Sequence, residues 1–416
     1  MNSYPEPKME GATFTSKAYR WGTHRSVSPA ETFNRVWPLA PAMGITRVAN
    51  VTGLDQIGIP VVMVTRPNSR SLSVAQGKGA TLEAAKASGV MEAIESHHAE
   101  TIHKPLMLAS IDEMLSRRDL IDVAGLPLAG RARLGRSDPI LWIEGEDIAA
   151  NKSLWIPFEC VSLNLSGPAL PHAGVFQSGS NGLASGNVLS EATLHGMLEV
   201  VERDATTLWQ IQNSAAQNLT RIDLDSIDDP LCRSLLGQFD EAGIAVGVWD
   251  ITSDVGVPVF LCRIIESSDN PSQLIRPAAG MGCHLDRSVA LMRAMTEAAQ
   301  SRLTFIAGSR DDLNPEDFVE FRRGDGRHAW RSLIHDGVAE RRFQDVQTAS
   351  HATFEEDILH VLECLAGVDI QSVCAVNLTK DEFDIPVVKI LVPGLEGIVD
   401  SASYVYGARA RAFVEA

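Results

Sequence analysis

The chain has 416 residues, 45% of them hydrophobic and 21% charged, so it can bury a large core and is neither disordered, collagen-like nor low-complexity. Lys and Arg number 36 against 53 Asp and Glu, a net charge of −17 that argues against nucleic acid or an anionic membrane as partner while leaving room for a local cationic pocket. The N-terminus carries no basic-then-apolar signal and no apolar run approaches the roughly 20 residues of a bilayer span, so a cytoplasmic protein is expected.

Following the chain, residues 45–51 alternate, turn through Gly53 and Gly58, and return through 59–64, which predicts a β-hairpin. Residues 244–251 returning through 257–261, and 368–376 returning through 385–388, repeat the plan. Each return strand opens with a branched residue, Pro and Val: Ile59-Pro60-Val61, Val257-Pro258-Val259 and Ile385-Pro386-Val387. Proline has no N–H to donate and is tolerated where a strand begins, so the three prolines mark strand starts. A looser hairpin joins 141–143 to 154–157. The six cysteines are widely spaced without a CxxC pair and mostly lie in apolar runs, as reduced core thiols do.

Three helical stretches, 81–100, 190–204 and 286–303, also repeat. Ala85, Ala192 and Ala290 each precede Ser88, His195 and Arg293 by three residues; Glu92, Glu199 and Glu297 follow four later, and Glu95, Glu202 and Gln300 three beyond those. Glycines stand before each copy, and Thr81, Ser190 and Asp286 are the expected N-caps. These patterns predict an α/β (α+β) fold of repeated hairpin-plus-helix units, with antiparallel sheets covered by helices. Residues 309–342, polar and rich in Arg and Asp, fall outside the repeat and read as an insertion or partner surface.

Glutamates at i and i+3 share a helix face, where they repel unless a cation lies between them. A solvated face is the default for one such pair, but recurrence behind glycines turns Glu92, Glu95, Glu199 and Glu202 toward a metal site. Converging carboxylates imply Mg2+, which usually comes with phosphate. Arg203, Arg293 and Arg302 would supply guanidinium forks for phosphate oxygens, the bland alternative being an Arg203–Glu199 surface pair. Lys78 lies in Gly77-Lys78-Gly79, which lacks the Ser or Thr of a Walker loop, and either touches phosphate or is solvated. His97 and His98 lack HExxH spacing and read as structural or exposed.

Gln76-Gly77-Lys78-Gly79 leading to Ser88-Gly89-Val90-Met91-Glu92-Ala93-Ile94-Glu95, then Asn181-Gly182-Leu183-Ala184-Ser185-Gly186-Asn187 with residues 191–203, and finally residues 293–302, together resemble the YcaO family. The resemblance spans residue 45 to the C-terminus. It implies one ATP-binding catalytic domain over 45–416, its ATP site between subdomains, with residues 1–44 packing on the core. It further implies ATP and Mg2+ as cofactors and a nucleotide site of Ser88, Glu92, Glu95, Glu191, Arg203, Arg293 and Glu297, beside which Lys78 stands as a candidate phosphate contact. Within that site Glu92, Glu95, Glu199 and Glu202 hold metal, and Glu199, Glu202, Arg203 and Arg293 carry the catalysis. The sequence departs from many members at Ser96, where they place Arg. Members use ATP to activate a peptide-bond oxygen. The proline-free C-terminal stretch and residues 392–396 and 404–411 resemble members found beside TfuA proteins, which implies thioamide formation on a ribosomal peptide or protein, with a TfuA-type partner, a sulfur donor and a homodimeric state. The alternatives are an azoline-forming cyclodehydratase, a non-catalytic ATP-binding regulatory subunit, and an acyl-phosphate ligase.

Overall fold

A computed structural model describes residues 14–130, 133–167, 172–268, 275–312, 330–334, 339, 341–397 and 404–415. Helix α1 (Pro29–Val36) precedes strands β1 (Arg47–Asn50), β2 (Val61–Thr65) and β3 (Val74–Lys78) and helix α2 (Leu82–Glu100). There follow β4 (Leu106–Ala109), α3 (Ile111–Leu115), β5 (Ile140–Asp147), β6 (Lys152–Pro157), β7 (Leu183–Ser185) and α4 (Leu189–Gln210). Next come α5 (Ser214–Leu219), β8 (Ile222–Asp223), α6 (Pro230–Glu241), β9 (Ile244–Asp250), β10 (Val259–Glu266), β11 (Ala278–Cys283) and α7 (Arg287–Ala307). The chain continues through β12 (Arg341–Arg342), α8 (Phe354–Ala366), β13 (Cys374–Asn377), β14 (Val387–Leu391) and α9 (Ala408–Glu415).

All four predicted hairpins form, as β1–β2, β9–β10, β13–β14 and β5–β6, each antiparallel. Pro60, Pro258 and Pro386 each stand just before the return strand, where a missing N–H costs no ladder bond. Each return strand then pairs with a third strand in one register, Val61 opposite Lys78, Val259 opposite Cys283 and Val387 opposite Ser185. The proline carbonyls close the motif: Pro60 accepts from Gly79 N (3.3 Å), Pro258 from His284 N (3.1 Å) and Pro386 from Gly186 N (3.1 Å). A helix leaves from each of these points, so the molecule is built from three equivalent units, β1-β2-β3-α2, β9-β10-β11-α7 and β13-β14-β7-α4. The last is assembled out of chain order and extended through β5, β4 and β6 into a six-stranded sheet.

The repeated alanines and glycines answer one another across the helix–strand seam. Ala85, Ala192 and Ala290 are fully buried, and a Cβ on Gly77 would run into the carbonyl of Ala85 and the backbone of Gly89, as one on Gly282 would into Ala290. Only bare backbone lets helix and strand lie this close. Thr81 and Asp286 cap α2 and α7 through their side chains, but Ser190 does not cap α4. That helix begins at Leu189 behind an extended Val188 with no side-chain cap. In strict register Val188 is the cap, because it precedes Ala192 by the same four residues.

The six cysteines are free thiols, five of them buried. Among the described residues no helix is long and apolar enough to cross a membrane. Most of 309–342 lies outside the described residues.

Candidate functional site

A cavity of about 660 Å³ opens where α2, α4 and α7 face one another. The last position of the repeated pattern builds it, because in each helix that side chain reaches the third strand of the next unit. Glu95 on α2 accepts from Ser185 N (2.8 Å) and Oγ (2.7 Å) on β7, and Glu202 on α4 accepts from Cys283 N (2.9 Å) on β11. Gln300 on α7 donates through Nε2 to Gln76 O (2.8 Å) on β3, which closes the ring. This explains the change from Glu to Gln: two partners are N–H donors that need an acceptor, and the third is a carbonyl that needs a donor.

Ser88, Glu92 and Glu95 from α2, Glu199, Glu202 and Arg203 from α4, Arg293 and Glu297 from α7, and Lys78 from β3 all line the cavity. Glu92 and Glu297 accept from their own strands, at Gln76 N (3.4 Å) and Met281 N (3.3 Å). Lys78 forms an ion pair with Glu297, and Arg203 stands 3.9 Å from Glu202. Ser96 also lines the wall, its hydroxyl bonded back to Glu92 O (3.2 Å).

Two expected groups are placed elsewhere. Glu191 is not on the cavity wall; it takes Arg25 Nη1 (3.2 Å), Ser26 N (3.1 Å), Ser26 Oγ (2.8 Å) and Asn187 Nδ2 (3.1 Å), so it fastens the N-terminal segment to the start of α4. Arg302, expected to bind phosphate, is a buried structural tie to Asp55 (2.9 Å) and Glu266 (2.8 Å). His98 is buried, and His97 and His98 pack edgewise against Phe383 and carry no role in the cleft.

Burial governs the electrostatics. It raises Glu95 to about 8, against the Ser185 hydrogen bonds, with the charges of Glu92 and Glu199 adding to the rise. Glu199 rises to about 7 by burial, opposed by Arg203. Burial also lifts Glu92 and Glu202, whereas at Glu297 the burial is outweighed by Lys78 and Arg203 and the carboxyl is held low. Burial thus presses these carboxyls toward the neutral form in an oxygen-lined cleft, and oxygen donors of this kind are what a hard cation takes. Among the described residues no three or more His, Cys, Asp or Glu side chains close on one point, so a cation here would complete its shell with phosphate and water, as Mg2+ does.

Sequence reasoning missed several wall residues. Trp21, Gly22, Thr23 and Arg25 come from the N-terminal segment, which is pinned by a buried Lys17–Asp357 pair (2.6 Å) and carries no local motif. Arg310, in the stretch given no role, also lines the cleft, held by Asp312. Ser185 and His195 stood inside the repeated pattern, and equivalence to Lys78 or Cys283, and to Ser88 or Arg293, was the signal available for them.

Residues 76–396 match the family described as YcaO cyclodehydratase, ATP- and Mg2+-binding. The chain is 38% identical to a protein in the tfuA 3′ region of Rhizobium leguminosarum bv. trifolii, over 93% of this chain and 92% of that one. It is 34% identical to a protein of Methanothermobacter thermautotrophicus, over 89% and 95% respectively. Among solved structures it shares its fold with YcaO from Methanopyrus kandleri bound with AMPPCP and Mg2+ (TM-score 0.73, 22% identity, 94% of this chain and 98% of that). A heterocyclase in complex with substrate and cofactor has the same fold (TM-score 0.74, 21% identity, 92% of this chain), and the chain spans 54% of its length.

Proposed function

The chain belongs to the YcaO family, and on that premise we propose that it uses ATP and Mg2+ to exchange the oxygen of a peptide-backbone amide for sulfur, working with a TfuA-type partner and a sulfide source. The observation that carries the thioamide reading is the 38% identity, across nearly the full length of both chains, to a protein in a tfuA 3′ region.

The residues fit both groups. Glu92, Glu95, Glu199 and Glu202 line the cleft and, since no three of them close on one point, would share Mg2+ with phosphate oxygens and water, while Arg203 and Arg293 would take phosphate oxygens; Arg293 Nε is buried without a hydrogen-bond partner among the described residues, an orphaned donor at the cavity wall. ATP and Mg2+ would supply a transferable phosphoryl group and the cation that balances its charge. The chain's own contribution is to orient. Lys78 keeps Glu297 ionised, and Glu95 and Glu202 tie the helices to neighbouring strands. Overall, amide, hydrosulfide and ATP give thioamide, ADP and phosphate: sulfide adds to the carbonyl carbon, the resulting oxyanion accepts the γ-phosphoryl group, and that oxygen departs as phosphate while the C=S bond forms. The mass of a peptide treated with protein, ATP, Mg2+ and sulfide tests this. An oxygen-to-sulfur exchange supports it; loss of one water without sulfide makes the protein a cyclodehydratase instead.

A further inference from the structure

We propose that His195 is the positioning residue that sets the Arg293 guanidinium for phosphate, an inference that rests on the reading of Arg293 as a phosphate ligand. Arg293 Nη2 lies 3.2 Å from His195 Nε2. A guanidinium has donors and no acceptor, so Nε2 is the unprotonated nitrogen and the imidazole is neutral with its proton on Nδ1. Burial, then the charges of Arg293 and Arg25, hold the imidazole well below its ordinary pKa, which agrees with that geometry.

Ser185, at the end of the neighbouring strand β7, is fixed in turn by Glu95, to which it donates through both N and Oγ. Two links therefore cross the cleft, Glu95 to Ser185 joining α2 to β7 and His195 to Arg293 joining α4 to α7. A guanidinium fork discriminates by the plane it lies in, and a long side chain has that plane only if something fixes one edge. His195 fixes the Nη2 edge, while Nε stays buried without a partner among the described residues, available to a ligand. The position fits the three-unit plan: Ser88, His195 and Arg293 occupy equivalent sites on α2, α4 and α7, and all three line the cavity.

Two measurements on the full chain test the assignment. Long-range imidazole 15N spectra should show His195 neutral and protonated on Nδ1 from about pH 6 to 8; an imidazolium or the other tautomer overturns the proposal. Calorimetric affinity for the non-hydrolysable analogue AMPPNP with Mg2+ should fall about tenfold in His195→Phe, the size expected for a lost hydrogen bond to a charged group. In an Arg293→Gln background the same change should cost less than about twofold. His195→Gln, which keeps an acceptor, should recover most of the loss and serves if the Phe variant does not fold. An equal loss in both backgrounds means the ring only packs, and overturns the proposal. Unchanged affinity in Arg293→Gln alone overturns the phosphate reading on which it stands, a result distinguishable from failure of the His195 assignment by itself.

Discussion

Glu95→Gln separates the cost of burying this carboxyl from its use. Burial raises the Glu95 pKa to about 8 from a usual 4.5, despite the bonds from Ser185. A pKa higher in the folded than in the unfolded state means the folded protein holds the proton more tightly. The contribution is therefore most favourable below about pH 4.5 and is lost as pH rises toward 8. At pH 7.5 the loss is ~4 kcal/mol, from about three pH units at 1.36 kcal/mol each. Glutamine has no proton to lose and still offers Oε1 to the Ser185 N–H. Glu95→Gln should thus be the more stable protein at pH 7.5 without Mg2+, by up to ~4 kcal/mol, with a flatter stability profile between pH 5 and 8. It should also lose the stabilisation that Mg2+ with AMPPNP confers on the wild type. Urea and thermal unfolding across that pH range, with and without Mg2+ and analogue, measure both. Equal pH slopes for the two proteins, or a full Mg2+-dependent gain in the variant, would refute the reasoning.

Mg2+ affinity should rise with pH through about 7 and 8 as Glu199 and Glu95 release their protons, and calorimetry in buffers of different ionisation enthalpy should detect proton release; none would contradict the site. Arg203→Lys should lower ATP turnover by at least about tenfold, because a point charge does not reproduce a bidentate fork; full turnover would return Arg203 to a surface role. Lys17→Met leaves Asp357 buried beside His351 alone and should cost ~3–5 kcal/mol, seen as early proteolysis of the N-terminal segment. Wild-type protease resistance would show that the segment is held by other contacts.

Much of this protein was readable from one dimension because its signals are local. A proline that begins a strand, an alternating return, and a helix whose Ala, polar and Glu positions recur behind glycine are decided by backbone sterics and helical period within about twenty residues. The three hairpins, the three helices and the carboxylates facing a common space follow from that. Partner choice does not. Nothing near Ser185 or Asn377 states that β7 and α4 will be completed by strands far later in the chain, because strand pairing is settled by which edges meet in the folded core. Only the assembled ring shows why the pattern ends in Glu, Glu and Gln, each answering a donor or a carbonyl on the next unit's strand. Glu191 and Arg302 follow the same logic: both look like site residues on their helices, and both are claimed by distant groups, Ser26 for one and Asp55 with Glu266 for the other. A buried charge goes to whatever partner the tertiary structure brings within reach, since leaving it unpaired costs more than any local preference can offset.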